Sequence, residues 1–530
     1  LFTRDLWNPD EPRYMEVARE MVLLRDYVLP RLNGEIYSEK PPLFFWLAGL
    51  LWKAGMGYNA GRVLTLLCVF GTLALLYALA RKHIAPEAAP LAALATLSTV
   101  LMFYFVRRGV LDPLLTFLCT ASLACGYQAL QKEARHRAIY WIGSYGAMAL
   151  GTLTKGPVGF IVPGLVLLAF AIINHKNLRA GGACHAAGLA VFAAIVLAWL
   201  LPAIAAGGSE YARTILVKQQ VGRAVESYSH RNPFYYYIVG APAYLFPWSL
   251  LVPLALVAAA QRWRRAREGL PLFATLWLVV PTVFFSFISG KRVNYVLPTV
   301  PGLGLLCGWY VHCGHMGWKA RAWASRLISA PLAILLVLIV GGAAAVCLAP
   351  RLAEALAVDE DVGGALTAAS RPAMTAAAII ALAVPLGACA LGLLRRARPL
   401  PWRASVLGAA ILLLTPPIDL VFTPVTNQFK SGRSFAQEVR RRAGDTKQVY
   451  IYGNELSGVY NLYSGYLRMP VVTAPEELAA LLEKPDTFVI GPDKALKKAL
   501  PGPQYERHVA FVERVGHREM ILLRGGEASP

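Results

Sequence analysis

Residues 61–80 of the 530-residue chain have the sequence GRVLTLLCVFGTLALLYALA and are followed by Arg81 and Lys82. A long apolar stretch that ends in cations is typical of a helix that crosses a membrane. The chain is 56% hydrophobic and 16% charged, and its apolar residues are gathered into blocks of similar length. The sequence therefore predicts a polytopic α-helical membrane protein. We count about twelve blocks: 61–80, 88–106, 110–130, 138–154, 156–173, 183–206, 233–260, 270–288, 295–313, 326–349, 373–394 and 404–423.

The positive charge of the chain is concentrated in alternate loops between these blocks. The net charge is +21, and an excess of Lys and Arg in short loops marks the cytoplasmic side of a membrane protein. This distribution explains the charge without a nucleic-acid partner, which we do not expect. The basic loops contain Arg81 and Lys82, Lys132 to Arg137, Lys176 and Arg179, Arg262 to Arg267, Lys319 to Arg326, and Arg395 to Arg403.

With the basic loops in the cytoplasm, both ends of the chain and the remaining loops fall on the outer face of the membrane. The unusual polar residues converge on that face, although chance would distribute them over both. Ionisable groups at a membrane are costly and are usually functional, so the pattern predicts a site on the outer face. The converging residues are Asp10, Glu39, Lys40, Asp112, Lys155, Arg223, His230, Lys291, Arg292 and Tyr295.

Two segments ahead of the first block predict helices that lie on the membrane surface. Residues 41–59 are apolar enough to span, but Lys53 interrupts them, and a span here would invert every later loop. We therefore expect an interfacial helix. Residues 12–29 have helical periodicity, with apolar positions on one side and polar positions, including Glu16 and Glu20, on the other. This stretch predicts a second surface helix.

The C-terminal part of the chain changes composition and predicts a small α/β domain on the outer face. We thus expect three parts: an outer loop with interfacial helices at 1–60, a transmembrane domain at 61–424, and the α/β domain at 425–530. Predicted strands are Val449–Tyr452, Thr487–Ile490 and Glu519–Leu523, and predicted helices are Pro475–Glu483 and Asp493–Leu500.

Candidate acids stand at two places on the outer face. Asp10 and Glu11 belong to the run Trp7-Asn8-Pro9-Asp10-Glu11-Pro12-Arg13-Tyr14, and Asp112 precedes Pro113 at the start of a block. A carboxylate in such a position is able to act as a general base on a hydroxyl or phosphate. The alternative is that each aspartate caps the start of a helix. The two roles are compatible, and the residues alone leave both open.

Cations and a phenol accompany these acids. Snorkelling of long side chains to the membrane surface explains any one of them. Their convergence on one face instead predicts a phosphate site, where Lys and Arg stabilise the charge of a leaving group. The group consists of Lys40, Lys155, Arg223, Lys291, Arg292 and Tyr295, with Arg13 beside the acidic run.

Glu39 and His230 offer a carboxylate and an imidazole, which are common ligands of a divalent metal such as zinc, and a carboxylate also suits magnesium. The alternative for His230 is a solvated histidine with no ligand. A divalent metal is therefore an open possibility from these two residues. The chain shows no phosphate-binding loop, and we expect no nucleotide cofactor.

Several short motifs, taken in order, resemble one known family. They are Asp10-Glu11-Pro12-Arg13-Tyr14, Glu39-Lys40-Pro41-Pro42-Leu43, Leu111-Asp112-Pro113, Thr154-Lys155-Gly156-Pro157 and Lys291-Arg292-Val293-Asn294-Tyr295-Val296-Leu297-Pro298. Together they resemble the bacterial aminoarabinose lipid A transferases, or undecaprenyl phosphate-aminoarabinose arabinosyltransferases. These enzymes are GT-C membrane glycosyltransferases related to protein O-mannosyltransferases, and the likeness extends over essentially the whole chain.

The resemblance implies a role for each matching residue. Asp10 would be the acid central to catalysis and Asp112 the second acid. Lys40, Arg223 and Tyr295 would hold the phosphate of the lipid-linked donor, and Glu39 and His230 would be the neighbours of a metal. Further substrate contacts are expected at Glu11, Arg13, Lys155, Lys291 and Arg292.

The resemblance also implies a reaction. Aminoarabinose would pass from undecaprenyl phosphate to a phosphate of lipid A, with inversion, at the periplasmic face of the inner membrane. This pentosyl transfer lowers the negative charge of the surface and gives resistance to polymyxin and other cationic peptides. Membrane lipids would be the further partners. Family members have a transmembrane helix ahead of the Asp10 motif, so we expect that the sequence in hand lacks a first helix.

Two other functions fit parts of the pattern. A GT-C enzyme with another lipid-linked sugar, or with a protein or glycan acceptor, would need the same cations and acids. A secondary transporter would also have about twelve spans, but carriers place polar residues near the midplane in repeated halves. Here the polar residues cluster at one rim and no internal repeat is visible, which favours an enzyme.

Overall fold

The computed structural model of the chain describes residues 4–131, 136–174, 182–215, 232–266, 269–314, 317–355, 372–395, 397–419, 423–445, 448–500, 502–516 and 518–526. The chain divides into two compact units, which are built from segments distant in sequence. The sheet-containing unit comprises Leu1–Tyr37, Phe45–Val63 and Asp419–Pro530, and the helical unit comprises Ser38–Phe44 and Leu64–Ile418. The boundaries expected at 60 and 424 follow the chain in order and stay predictions.

Apolar helices dominate the helical unit, and every predicted apolar block coincides with at least one helix. Among the described residues, five helices are long and apolar enough to cross a membrane, or six if one bent pair is a single span. The count of about twelve spans stays a prediction. The helices from the first block onward are Ala60–His83, Ala88–Leu97, Val100–Phe105, Leu111–Ala129, Arg137–Lys155, Val158–Ile173, Gly182–Arg213, Tyr236–Tyr244, Val252–Ala266, Gly269–Phe287, Val300–Trp309, Gly317–Ala355, Pro372–Leu394, Leu400–Leu412 and Thr415–Pro417.

The block at 88–106 is not one helix, because it breaks in its middle. The hydroxyl of Ser98 donates to the carbonyl of Leu94 at 2.6 Å, and that of Thr99 donates to Ala95 at 2.7 Å. Thr99 is extended, with ψ 133°. Side-chain hydrogen bonds of this kind compete with the helical ladder, and they explain why the prediction of a continuous helix is wrong here.

The block at 233–260 is also broken, with a bend of 113° between Tyr236–Tyr244 and Trp248–Arg265. The two breaks satisfy each other's polar groups. The backbone N–H of Val100 donates to the carbonyl of Phe246 at 2.9 Å, and the indole N–H of Trp248 donates to the Ser98 hydroxyl at 3.0 Å. A break inside an apolar helical unit therefore leaves these groups paired.

Residues 41–59 form the helix Leu43–Leu51 and two short turns, Trp52–Met56 and Gly57–Asn59. Gly55 has φ 89° and interrupts the helical path. A nine-residue helix rises only about 13 Å, less than half the hydrocarbon thickness of about 30 Å. The predicted helix is thus confirmed, and its position on the membrane surface stays a prediction.

A five-stranded sheet forms the centre of the sheet-containing unit, as predicted for a small α/β domain. The strands lie in the order Val471–Val472, Val449–Tyr452, Phe488–Pro492, Arg518–Arg524, Val509–Val515. The first three run parallel and the last two pairs are antiparallel. The three predicted strands are confirmed, and the edge strands Val471–Val472 and Val509–Val515 are additional.

Helices and one hairpin complete this unit. Leu478, Leu482, Leu496 and Tyr505 pack with the sheet residue Val489 in one buried apolar cluster. The helices are Asp10–Leu24, Thr423–Lys430, Arg433–Ala443, Asn461–Ser464, Pro475–Leu482, Asp493–Ala499 and Pro503–His508, and the hairpin strands are Arg31–Leu32 and Glu35–Ile36.

The helix Asp10–Leu24 corrects one expectation, because its acidic side does not face solvent. Glu16 and Glu20 are both fully buried. Glu16 accepts two hydrogen bonds from Arg19, at 2.7 and 2.8 Å, and Glu20 accepts the backbone N–H groups of Asn33 and Gly34 at 2.5 and 3.0 Å. Burial raises the pKa of Glu16 to about 7 in spite of the ion pair with Arg19.

Glycines allow close contact between the helices Val300–Trp309 and Ala88–Leu97. A side-chain carbon at Gly304 would collide with Thr96, and one at Gly308 would collide with Ala92. This four-residue spacing of small residues is typical of closely packed membrane helices.

We expect Gly304→Leu to lower the free energy of unfolding by about 1–3 kcal/mol or more, because the leucine must displace the neighbouring helix. The measurement is the thermal unfolding midpoint of the purified protein in detergent. Gly164→Leu is the matched control, since a side chain at Gly164, also in an apolar helix, meets nothing within 4 Å. Equal midpoints for the two variants would contradict the packing described above.

Candidate functional site

Asp112 lies in the first turn of the helix Leu111–Ala129, which follows an extended Val110. The cap position is Val110, and no side chain caps this helix. Asp112 is therefore not the N-cap that a purely structural role would require. The residue is buried, with 6% exposure. A buried carboxylate is stable only when other groups pair with it.

Lys155 and Asn294 are the partners of this carboxylate. Lys155 ends the helix Arg137–Lys155, where Gly156 turns the chain with φ 76°. Its Nζ lies 2.5 Å from Oδ1 of Asp112. Asn294 donates from Nδ2 to the same oxygen at 3.0 Å. Both bonds fix Oδ1, whereas Oδ2 takes part in neither of them.

Tyr295 completes the cluster from the short helical segment Val293–Thr299. The Lys155 ammonium lies 5.0 Å from the centre of the Tyr295 ring, within the range of a cation–π interaction. The Phe285 ring supports Tyr295 from another side, with 5.6 Å between the ring centres. Asp112, Lys155, Asn294 and Tyr295 are hereafter the acid–lysine cluster. It combines a fixed carboxylate, an ammonium that attracts anions and a phenol.

Lys291 and Arg292, which precede this cluster in sequence, have different surroundings. Lys291 is 4% exposed, and its ammonium donates to the carbonyls of Ile288 at 2.6 Å and Asn232 at 2.8 Å. These bonds hold it against the backbone. Arg292 is exposed, and its carbonyl accepts a hydrogen bond from the hydroxyl of Tyr237 at 2.9 Å.

The sheet-containing unit holds the other candidate acids. Glu11 is fully buried, and Arg4 binds both of its carboxylate oxygens at 2.7 and 2.8 Å. The backbone N–H of Trp7 adds a third bond at 3.1 Å, and Arg62 lies 3.7 Å away. Arg62 also donates to the carbonyls of Arg4 and Asp5, at 2.5 and 2.7 Å. These bonds fix the segment that precedes Asp10.

Asp10 itself is half-buried and is the first residue of its helix. The cap position is Pro9, and no side chain caps this helix either, so Asp10 does not serve as the N-cap. Within the described part of the chain, its carboxylate has no hydrogen bond or ion pair. A carboxylate that its own fold leaves available is able to accept a proton or bind a cation.

The remaining predicted residues are placed as follows. Glu39 is exposed and Lys40 is half-buried, and Lys40 donates to the carbonyl of Glu39 at 3.2 Å. Both belong to the helical unit, as the acid–lysine cluster does. Arg13 is half-buried in the helix that begins at Asp10. Arg223 and His230 lie outside the described residues.

The metal pair of Glu39 and His230 consequently stays a prediction. Over the ranges that the structure describes, no group of three or more His, Cys, Asp or Glu residues is arranged to hold a metal ion.

Three residues of these clusters were not singled out from the sequence. Asn294 stands inside the run Lys291–Tyr295, but an amide carries no charge and gave no signal of its own. Arg4 is also part of no motif. Arg62 did have a signal, because it is a charged residue at the start of an apolar block, where charges are expensive and are usually paired.

Comparison with known proteins gives three findings. Residues 39–201 match the family model of the dolichyl-phosphate-mannose-protein mannosyltransferases. The chain is 33% identical over 317 residues to the undecaprenyl phosphate-alpha-4-amino-4-deoxy-L-arabinose arabinosyl transferase of Edwardsiella ictaluri, which covers 58% of this chain and 56% of that protein. It is 30% identical over 348 residues to the transferase of the same name from Photorhabdus laumondii, covering 63% and 61%. The chain thus spans little more than half the length of these curated relatives.

The third finding is structural. The fold is similar to that of ArnT from Cupriavidus metallidurans, solved bound to undecaprenyl phosphate, with a TM-score of 0.79 at 20% identity over 99% of this chain and 96% of the other. The apo structure of the same protein gives 0.79 at 21% identity, covering 99% and 95%. This likeness establishes a GT-C type fold, mostly helical with a small C-terminal sheet. The resemblance inferred from the short motifs is confirmed by these relatives.

We expect Lys155→Met to lower the free energy of unfolding by about 3–5 kcal/mol, because it leaves a buried carboxylate without its cation. The double variant Asp112→Asn/Lys155→Met should recover much of this loss, since it removes both charges. The measurement is a double-mutant cycle on unfolding midpoints in detergent. Additive losses in the cycle would show that the two side chains do not interact in the folded protein.

Proposed function

We propose that this chain transfers 4-amino-4-deoxy-L-arabinose from undecaprenyl phosphate to a phosphate of lipid A. The acid–lysine cluster is the observation that carries this proposal, because it joins a fixed carboxylate to an ammonium within a GT-C type fold. The names of the similar transferases supply the sugar and its carrier. Transfer to lipid A would lower the negative charge of the cell surface and so give resistance to polymyxin and other cationic peptides.

The reaction needs few groups from the protein, because the donor is already activated. An oxygen of the acceptor phosphate attacks the anomeric carbon and forms the new C–O bond. The bond from that carbon to the undecaprenyl phosphate oxygen breaks, and the departing phosphate keeps the electron pair. The acceptor oxygen attacks from the side opposite the departing phosphate, so the configuration of the anomeric carbon is inverted. The charge on the departing phosphate is the quantity that the protein must stabilise.

We assign the stabilisation of that phosphate to the cations and the phenol of the site. The resemblance gives this role to Lys40, Arg223 and Tyr295. Lys155 is a further candidate, because its ammonium already lies beside the Tyr295 ring. The attraction between these cations and the negatively charged phosphate becomes stronger when the bound substrate excludes water from the site.

The two aspartates would orient the sugar and the acceptor. Asp112 is held by its Oδ1, and the same bonds orient Oδ2, which has no hydrogen bond within the described ranges and would accept one from a hydroxyl or ammonium group of the sugar. Asp10 has the less constrained carboxylate and would orient or deprotonate the acceptor phosphate. We assign no substrate contact to Glu11, because Arg4 and Trp7 already bind its oxygens.

The proposed setting is a multi-pass protein of about twelve spans in the bacterial inner membrane, with the sheet-containing unit and the site on the periplasmic side. The basic loops support this orientation through the positive-inside rule.

One alternative acceptor has support of its own. The match of residues 39–201 to protein mannosyltransferases keeps a protein hydroxyl as the second candidate, with the same donor phosphate chemistry.

The decisive experiment is mass spectrometry of lipid A from a transferase-null strain that makes the donor and expresses this protein. We expect the mass increment of one aminopentose with the wild-type chain and its loss with Asp10→Asn. Asp445→Asn is the matched control, because Asp445 is an exposed residue in a surface ion pair with Arg440.

An increment that persists in the Asp10→Asn strain would remove Asp10 from the mechanism. An absent increment in every strain, with the protein folded in the membrane, would contradict lipid A as the acceptor. Labelled aminoarabinose would then be sought on periplasmic proteins, which is the result expected of the second candidate.

A kinetic test addresses Asn294 as a positioning residue. We expect Asn294→Leu to lower kcat by about 10-fold to 100-fold, because Asp112 loses one of the two bonds that fix its orientation. The KM for the donor should change far less, since leucine removes no charge. The same variant should keep an unfolding midpoint close to that of the wild type, and an unchanged kcat would refute the role.

A further inference from the structure

A cavity of about 360 Å³ lies in the sheet-containing unit, beside the helix Leu43–Leu51. Its volume is within the range of ligand sites in proteins. The walls are almost entirely apolar, and the exception is an ammonium group at Lys53. The lining residues are Tyr27, Trp46, Leu47, Gly49, Leu50 and Lys53. No member of the acid–lysine cluster is among them.

Specific contacts build this cavity. The indole N–H of Trp46 donates to the carbonyl of Tyr27 at 2.7 Å, so the polar atom of the indole is satisfied and its ring is left for apolar contact. Gly49 lets its helix approach the helix Asp10–Leu24, because a side-chain carbon there would already be 3.2 Å from Val22. These contacts hold two walls of the cavity in place.

Lys53 is held at the cavity by Tyr27. Its ammonium lies 4.9 Å from the centre of the Tyr27 ring and is hydrogen-bonded to the Tyr27 hydroxyl. An ammonium has three donors, and the Lys53 side chain is exposed. Two N–H groups therefore remain for an anion that arrives from solvent or from the membrane surface.

The surface near the cavity is unusually apolar for one that faces water. Leu50, which lines the cavity, is 65% exposed, and Leu23 and Leu24, which follow the Val22 that Gly49 approaches, are 56% and 41% exposed. Exposed apolar residues grouped in this way mark an interaction surface. Leucines beside a tryptophan, a tyrosine and a lysine are the composition of protein surfaces that lie in the headgroup region of a bilayer.

We propose that this cavity binds one acyl chain of an anionic phospholipid of the surrounding bilayer, with the lipid phosphate at Lys53. The apolar walls match a hydrocarbon chain, and the single ammonium matches a single phosphate. A lysine beside an apolar cavity would favour an anionic lipid over a zwitterionic one. This inference concerns the lipid around the protein and does not depend on the proposed reaction.

The test uses the full chain in phosphatidylcholine nanodiscs with a small amount of photoreactive lipid. One probe is phosphatidylglycerol with a diazirine on its acyl chain, and the other is phosphatidylcholine with the same group. After irradiation, peptides with a lipid adduct are mapped by mass spectrometry. We expect adducts within residues 46–53, several times more abundant with the phosphatidylglycerol probe.

Two variants separate the headgroup from the chain. Lys53→Met should lower the phosphatidylglycerol adduct about fivefold, the effect expected of one lysine beside an anionic lipid, and leave the phosphatidylcholine adduct unchanged. Leu47→Trp should lower both adducts, because the indole fills the cavity. Lys498→Met is the control for loss of an exposed lysine in the same unit, and it should change neither. Unfolding midpoints confirm that each variant is folded.

Three results would overturn the proposal. Equal labelling by the two probes in the wild-type chain would contradict the preference for an anionic headgroup. Full labelling in Leu47→Trp would show that the chain lies outside the cavity. Loss of the adduct on adding an equimolar amount of undecaprenyl phosphate or lipid A would assign the cavity to a substrate lipid instead. Sugar transfer is not measured here, so these outcomes are independent of the proposed function.

Discussion

Backbone N–H and C=O groups cannot be left without a partner in hydrocarbon, and the rest of this structure depends on that constraint. Unbroken helices satisfy it locally. The helices of the blocks 88–106 and 233–260 break, and there the backbone N–H of Val100 donates to the carbonyl of Phe246, while the indole N–H of Trp248 donates to the side-chain hydroxyl of Ser98. These two bonds join the breaks, so a local departure from helical geometry coincides with a long-range contact.

Buried charges need partners in the same way. Asp112 is buried with Lys155 and Asn294, and Glu11 is buried with Arg4 and Arg62. Each carboxylate in these groups is compensated by at least one partner from a distant part of the chain, since a buried charge without a partner would be strongly destabilising. Asp10 differs from them, because its carboxylate is only half-buried. Among the described residues, Asp10 is thus an acid whose carboxylate is not committed to an ion pair of this kind.

Sequence patterns predicted the elements well where the pattern was long. All the apolar blocks coincide with helices, and the strands at Val449–Tyr452, Phe488–Pro492 and Arg518–Arg524 were expected within a residue or two. The breaks at Ser98 and Phe246 were not predicted, because a single hydroxyl or proline hardly changes the apolar average. The burial of Glu16 was not predicted for a related reason. A periodic pattern separates polar from apolar positions, but it does not show that Arg19 pairs with Glu16 and allows it to be buried.

The sequence by itself determined the class of protein and its helices, and it predicted a group of acids and cations on one face of the membrane, because apolar length, charge bias and short motifs are local properties. Only the tertiary structure decided which of those polar residues meet. It paired Asp112 with Lys155 and Asn294, placed Tyr295 against Lys155, and brought Arg62 to Glu11. Pairings of this kind depend on distances between residues far apart in the chain, and a linear pattern does not contain those distances.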